Sequence, residues 1–307
     1  MKAAYVEQMG WPNTVKVGDV PRPQPGAGQV LLRTAAAGVG PWDVATISGA
    51  FGQLPLPLIP GLEVAGVVET SGEGADLRPG DEVYGSLGFT PGGFAEYTVA
   101  DADRLAVKPS RASFEEVVAL TVAGGTAYEG LADRLSLRPG EETVLITAAS
   151  GGVGTAAIQI AAALGARVIG VASGRNHHFI RELGASATFD YNDVGWEGAL
   201  LEALPGGVDA LFDASGGETR DAALRAVRDG GRAVFIVGAP PTIDRRIRGE
   251  FLGAEVDRRR LEAVNELIEA GGLRAELDAV FPLDRAADAL EHVAAGHTRG
   301  KVVLTLR

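Results

Sequence analysis

The chain has 307 residues, 46% hydrophobic and 22% charged, a size and balance that favour two soluble globular domains. A formal net charge of −12, with no Lys/Arg patch against it, argues against nucleic acid as a partner. The absence of cysteine excludes disulfides, thiolate metal sites and cysteine nucleophiles.

The N-terminal MKAAYVEQMG has no basic segment leading into an apolar one, so no signal peptide is expected. The longest apolar run, Thr155 to Ala166, contains Gln159 and is shorter than the about 20 residues needed to cross a bilayer. These features point to a cytoplasmic protein with no membrane partner. From residue 1 to about 112 the text is one of strands and turns. VKVGDV, QVLLRTAAAGV, EVAGVVETSG and EYTVA alternate or form short β-branched runs, punctuated by PRPQPGAG, RPGDE and TPGG. A mostly antiparallel, partly open barrel is expected there.

The pattern then changes. Ser113 precedes FEEVVALTVAGGTAYEGLADRL and stands three residues before Glu116, the spacing of a capping box at a helix start. From Thr143 strands and helices alternate: strands at 143–147, 167–171, 187–190, 208–213 and 231–237, helices at 153–164 and near 176–183, 196–204 and 218–228. Such alternation implies a parallel sheet covered on both faces. IRGEFLGAEV reads as a further strand and DRRRLEAVNELIEAGG as a helix. The tail AELDAVFPL, LDRAADALEHVAAG and KVVLTL returns to strand, helix, strand. The expected fold is α/β: a doubly wound parallel-sheet domain at 113–271, and a discontinuous β-barrel domain at 1–112 and 272–307.

Between the first two strands of the parallel sheet lies AASGGVG. Small residues between a strand and a helix permit a tight turn and let backbone N–H groups approach a pyrophosphate at the helix N-terminus. Against the pattern G-x-G-x-x-G the chain reads Ala149, Gly151, Gly154, so the first glycine is missing and the other two are present. Taken alone, this motif also suits a ligand-free glycine-rich turn; its place in the first βαβ unit favours a dinucleotide. An NAD site carries an acidic residue at the end of the second strand. Here Val171 is followed by Ala-Ser173-Gly-Arg175-Asn, with no carboxylate before Glu182. A hydroxyl and a guanidinium suit a 2′-phosphate, which favours NADP(H); a merely solvated Arg175 is the alternative.

Taken together, AASGGVGTAAIQIAAALGA, ASGRN, RELGA, FDY, GGRAVFIVG and HTRGKVVL resemble the medium-chain dehydrogenase/reductase superfamily. With GVGPWDVATISG, PLPLIPGLEVAGVV and RPGDEVYG, the resemblance extends over nearly the whole chain, to the zinc-free quinone oxidoreductase (zeta-crystallin-like) branch. It implies a GroES-like substrate domain, a Rossmann domain, a cleft between them, and NADPH as hydride donor to a quinone or α,β-unsaturated carbonyl. It also implies Ser150, Gly151, Gly152, Val153 and Gly154 around the pyrophosphate, Ser173, Arg175 and Tyr191 around the 2′-phosphate and adenine, and Thr126 with Val237 and Gly238 along the nicotinamide. Tyr191 equally suits core packing, and Thr126 an ordinary helix hydroxyl.

Zinc-dependent relatives carry a cysteine where this chain has Gly40, and a His-Glu pair where it has Leu62-Glu63. Neither Gly40 nor Leu62 can ligate zinc, and Glu63 alone cannot build a tetrahedral site. The four histidines, His177, His178, His292 and His297, fall in remote segments. Quinone reductases commonly carry Asn in place of Gly40 and often Tyr near Phe51. Their loss predicts a wider, more apolar substrate pocket lined by Gly40, Trp42, Phe51, Leu62 and Phe89, the aromatics suiting core or loop packing as well. No side chain stands out as an obligatory acid or base; Glu63 is the nearest candidate, with a structural role favoured. Alternatives are an enoyl reductase acting on an enoyl-thioester-like intermediate and an NADPH-binding protein without turnover. An edge strand near 246–255 predicts a homodimer.

Overall fold

The computed structural model describes residues 1–12, 15–238, 247–253 and 255–306. They form two compact units, one of Met1–Gly125, Glu255–Glu269 and Arg274–Arg307, the other of Thr126–Ala254 and Ala270–Leu273. No helix among the described residues is long and apolar enough to cross a membrane.

In the first unit, β1 (Lys2–Val6) and β2 (Val15–Asp19) make an antiparallel ribbon. The main sheet is built from β3 (Gln29–Val39), β4 (Glu63–Ser71), β5 (Glu82–Ser86), β6 (Tyr97–Asp101) and β7 (Leu105–Val107), completed from the far end of the chain by β14 (Leu277–Pro282) and β15 (Lys301–Thr305). Its order is β14-β15-β3-β4-β5-β7, with β6 on β3; only the β14–β15 pair is parallel. The discontinuity expected from the tail is therefore built through β15 on β3. Sequence reading gave no helix between β3 and β4, where α1 (Pro41–Ile47) stands. Proline at its first position and Asp43 two residues on supply the start signal, since proline needs no N–H there and an acid suits the helix N-terminus.

The second unit holds a six-stranded parallel sheet of β8 (Thr143–Ile146), β9 (Arg167–Val171), β10 (Ala187–Phe189), β11 (Val208–Asp213), β12 (Val227–Phe235) and β13 (Arg248–Phe251). The order β10-β9-β8-β11-β12-β13 is that of the doubly wound dinucleotide-binding fold. Its connecting helices are α3 (Gly152–Ala163), α4 (His177–Glu182), α5 (Trp196–Ala203) and α6 (Gly217–Arg225). Along α3, Gly154 to Ala161 are all buried, the Gln159 amide donating to the Thr155 carbonyl at 3.1 Å, so a helix of largely small and apolar residues lies close on the sheet. The strand text at 246–255 becomes β13; residues 246 and 254 lie outside the described residues.

Two helices divide differently from the expected boundaries of 112 and 272. In α2 (Phe114–Tyr128) the first twelve residues belong with the first unit, and so does α7 (Arg258–Glu269). Packing accounts for this. Val117, Val118 and Val122 of α2 and Leu261 of α7 share a buried cluster with Ala36, Ala65 and Tyr84 of the barrel strands. The Tyr84 hydroxyl donates to the Leu261 carbonyl at 3.1 Å and to Asn265 Oδ1 at 2.7 Å, and burial pushes its phenol well above the usual range. The start of α2 is as its sequence implies. Glu116 N–H donates to Ser113 Oγ at 3.2 Å, and Ser113 N–H to Glu116 Oε2 at 2.7 Å.

Candidate active site

All six strands of the second unit run the same way, so their carboxyl ends share one edge. The strand order reverses between β8 and β11, where such folds bind ligands. Just beyond these two strands Thr147 Oγ1 donates to Asp213 Oδ1 at 2.6 Å and accepts the N–H of Ala214 at 3.0 Å. Asp213 is fully buried and also accepts Ser215 Oγ at 2.9 Å and the N–H of Gly216 at 3.1 Å. One carboxylate thus fixes both turns. Asp213 was absent from the sequence reading; an acid closing an apolar strand before the small residues ASGG was the available sign.

At the end of β8 the chain turns sharply. Ala148 has a φ of +46°, where a non-glycine residue is strained, and its carbonyl accepts the N–H of Gly151 at 2.9 Å. Gly154 lies so close to this turn that a Cβ would overlap the Ala148 carbonyl oxygen and come within 2.8 Å of Ala149 Cα. A Cβ on Gly151 would meet only the Ala148 oxygen, at 3.4 Å. The last glycine therefore serves helix–turn contact, and the middle one bares the backbone. Ser150, Gly152 and Val153 are half-buried around it.

Beyond β9, Ser173 is half-buried and Arg175 exposed, the latter with no hydrogen-bond or ion-pair partner among the described residues. The Asn176 amide donates to Ser150 Oγ at 3.0 Å and to Ser173 Oγ at 3.2 Å, bringing these two serines together. Asp190 Oδ2 accepts the N–H of Gly174 at 2.6 Å; this contact and, more strongly, the Asn192 N–H hold its carboxyl below the usual range. Tyr191 is 38% exposed, on the rim rather than in a core. Val237 is exposed beside the β11 turn, since a Cβ on Gly216 would stand 3.5 Å from Val237 Cγ1, and Gly238 follows with a φ of +75°. Thr126 is buried on the last turn of α2, and its hydroxyl has no partner.

In the first unit, Asp43 ties two loops together. Its Oδ2 accepts the N–H of Gly40 at 2.8 Å and its Oδ1 that of Gly61 at 3.1 Å. Burial dominates its titration and outweighs both hydrogen bonds, so the carboxyl is pushed up to about 7. Glu63, fully buried, is held at both oxygens: Oε2 by Lys301 Nζ at 2.6 Å and Oε1 by the N–H of Val122 at 2.9 Å. These contacts make it a structural carboxylate. Glycine at position 38 leaves room for it, because a Cβ there would overlap Glu63 Oε2.

The pocket expectation changes at Gly40. A Cβ on Gly40 would overlap Cε2 and Cζ2 of the Trp42 ring, so the indole occupies the space a side chain at 40 would take. The absence of a side chain at 40 makes room for Trp42. Lys301 Nζ stands 4.5 Å from the centroid of that ring, and the buried indole Nε1 has no partner. Leu62 is half-buried, whereas Phe51 and Phe89 are 67% and 79% exposed on turns after α1 and β5.

Residues 26–110 match the family described as alcohol dehydrogenase GroES-like domain, and residues 183–304 that described as zinc-binding dehydrogenase. A quinone oxidoreductase of Sus scrofa is 33% identical over 100% of this chain and 98% of its own length. A chloroplastic NADPH-dependent alkenal/one oxidoreductase of Arabidopsis thaliana is 32% identical over 99% of this chain and 79% of its own. The chain belongs to the medium-chain dehydrogenase/reductase superfamily, in its zeta-crystallin-like quinone oxidoreductase branch. A solved structure of an NAD-dependent alcohol dehydrogenase is also similar, with 30% identity, full coverage of both chains and a TM-score of 0.91.

As a medium-chain dehydrogenase/reductase, the protein is an oxidoreductase using a nicotinamide cofactor. The zinc of the matched family description finds no donor at Gly40 or Leu62. Glu63 is fully engaged, and among the described residues no group of three or more His, Asp or Glu could hold a metal ion. His177, half-buried, meets the Ala172 carbonyl, and His292 the Asp278 carboxylate at the surface.

Proposed function

We propose that the protein uses NADPH to reduce a quinone or an α,β-unsaturated carbonyl without a metal. The observation that carries the cofactor choice is Arg175. Its guanidinium is exposed and unpaired beside Ser173, where an NAD site would present a carboxylate. A nicotinamide dinucleotide fits the residues present. Gly152 to Gly154 offer backbone N–H groups at the start of α3, and the Thr126 hydroxyl is an orphaned buried polar atom that a ligand amide would satisfy. Ser150 would serve the diphosphate, Ser173, Arg175 and Tyr191 the 2′-phosphate and adenine, and Val237 and Gly238 the nicotinamide.

The acceptor class draws on the names of the two relatives and on the donor set around Gly40. Without a Lewis acid, oxidation of an alcohol lacks the group that stabilises an alkoxide. Reduction of an electron-poor acceptor needs chiefly orientation and exclusion of water. A bound nicotinamide would supply hydride to the electron-poor carbon, with the displaced electron pair going to the carbonyl oxygen and the proton coming from solvent. Trp42 and Leu62 would present apolar surface to the acceptor, with Phe51 and Phe89 at its margin. Glu63 and Lys301, bonded to each other, would hold the floor rather than move protons. A homodimer through β13 belongs to the same proposal, since its residues Arg248 to Phe251 are all exposed on an edge strand.

The test is NADPH oxidation with 1,4-quinones, 2-enals and enoyl thioesters, alongside nucleotide titration of Arg175→Ala. NADPH binding is expected to weaken by about 1–3 kcal/mol, the range for a lost charge-assisted hydrogen bond, while NADH binding stays nearly unchanged. Equal loss for both nucleotides would remove Arg175 from the 2′-phosphate. A thioester preference of orders of magnitude in kcat/KM would replace the quinone assignment with the enoyl reductase one.

A further inference from the structure

Asn176 closes the short turn between β9 and α4. Its backbone N–H donates to the Ser173 carbonyl at 2.8 Å. Its side-chain nitrogen reaches both Ser150 Oγ, at 3.0 Å, and Ser173 Oγ, at 3.2 Å. An amide nitrogen has two hydrogens, so one goes to each serine. A hydroxyl that accepts a hydrogen bond keeps its own hydrogen to give. Neither serine hydroxyl donates to another protein group among the described residues. The Gly174 N–H held by Asp190 and the His177 ring against the Ala172 carbonyl fix the turn on either side.

We propose that Asn176 is a positioning residue that sets the polarity of this corner. By donating to Ser150 and Ser173 it holds both as hydrogen-bond donors, and through Ser173 it selects a 2′-phosphorylated nucleotide over the 2′-hydroxyl form. Phosphate oxygens only accept hydrogen bonds; the outward Ser173 hydrogen with the free Arg175 guanidinium matches those of the 2′-phosphate, while Ser150 offers its own to the diphosphate that both nucleotides share. A ribose 2′-hydroxyl has a hydrogen of its own, which an NAD site answers with a carboxylate. Here the nearest carboxylate of the turn, Asp190, is occupied by the Gly174 and Asn192 N–H groups. The inference rests on the reading that this turn binds the cofactor.

The experiment titrates wild type, Asn176→Ala, Ser173→Ala, the double variant and Asn176→Asp with NADPH and NADH, reading nucleotide fluorescence or heat rather than turnover. Asn176→Ala is expected to weaken NADPH about 5- to 10-fold, as for one neutral hydrogen bond, with NADH altered less than about 2-fold. Ser173→Ala should match it, and the double variant should lose little more, because both changes remove one donor arrangement. Asn176→Asp, of the same shape, would draw the serine hydrogens inward and cost NADPH about 100-fold. Simple charge repulsion predicts loss in the aspartate variant but none in Asn176→Ala, so the alanine variant decides. Equal losses for both nucleotides, or fully additive losses in the double variant, would overturn the proposal while leaving the cofactor assignment standing. Wild type that binds neither nucleotide would overturn both. Ser173→Ala removes only a half-buried hydroxyl, so it keeps the test open should the Asn176 variants fold poorly.

Discussion

Around Gly40 the buried charges are answered from within the protein: Asp43 by two backbone N–H groups, Glu63 by Lys301 and the Val122 N–H. Along the carboxyl edge of the parallel sheet, Ser150, Ser173 and Arg175 have no protein acceptor for their hydrogens among the described residues. The first arrangement maintains structure; the second, on the proposed reading, is prepared for an anion. Carboxylates that look catalytic by type are structural in one unit, and in the proposed reading two serines and an arginine carry recognition in the other. Substitutions in the first region should therefore change stability and leave nucleotide affinity alone, with the reverse in the second.

The largest expected effect is that of Lys301→Met. It leaves Glu63 buried without its cation, a loss of about 3–5 kcal/mol for a broken buried pair. The Glu63→Gln/Lys301→Met double variant should regain part of that, because no uncompensated charge remains. Urea midpoints measure both, and NADPH titration of the folded protein should match wild type. Lys301→Met unfolding at the wild-type urea concentration would show that the pair carries no such weight.

Asp43 sharpens the comparison through pH. An unfolded aspartate titrates near 4, and this one near 7 in the fold, so the folded state holds its proton more tightly. The stability it contributes is complete below about pH 4, declines as pH rises toward 7, and is lost above, a span of roughly 4 kcal/mol at most. An asparagine amide has no proton to lose over this range, so the Asp43→Asn variant supplies a reference that does not titrate. The melting temperature of wild type relative to Asp43→Asn should therefore fall between pH 5 and pH 8. A constant difference across that range would mean that Asp43 stays ionised throughout.

Much of this was readable in the chain. The alternation after Thr143, the limits of β3 and the Ser113–Glu116 box are local patterns that formed where periodicity or capping chemistry put them, except that α6 ends at Arg225 and β12 begins at Val227, ahead of the strand expected from 231. The glycine turn was legible because its demands are local too. Lys301 was not, since its partner Glu63 lies 238 residues away and nothing nearby distinguishes a buried lysine from a surface one. Asn176 was not singled out beside Arg175: the cation suggested a ligand, whereas the amide meets only serines that the turn brings together. Asp43 was hidden by the unassigned helix whose first turn it occupies.

The smallest effect concerns the exchange between Gly40 and Trp42. Gly40 has a φ of −134°, extended backbone open to any residue, so an added methyl meets no backbone strain. What it meets is the indole, whose Cδ2 would lie 2.8 Å from a Cβ and whose Cε2 and Cζ2 would overlap it. Gly40→Ala should then cost about 1–3 kcal/mol, the range for forcing an extra methyl into occupied space. In a Trp42→Ala background the same change should cost less than about 0.5 kcal/mol, because the obstacle is gone. The cycle, measured by urea unfolding, thus reports whether the ring occupies the place of the missing side chain. Equal costs in the two backgrounds would put the indole elsewhere, and the wider pocket expected from a bare glycine would return.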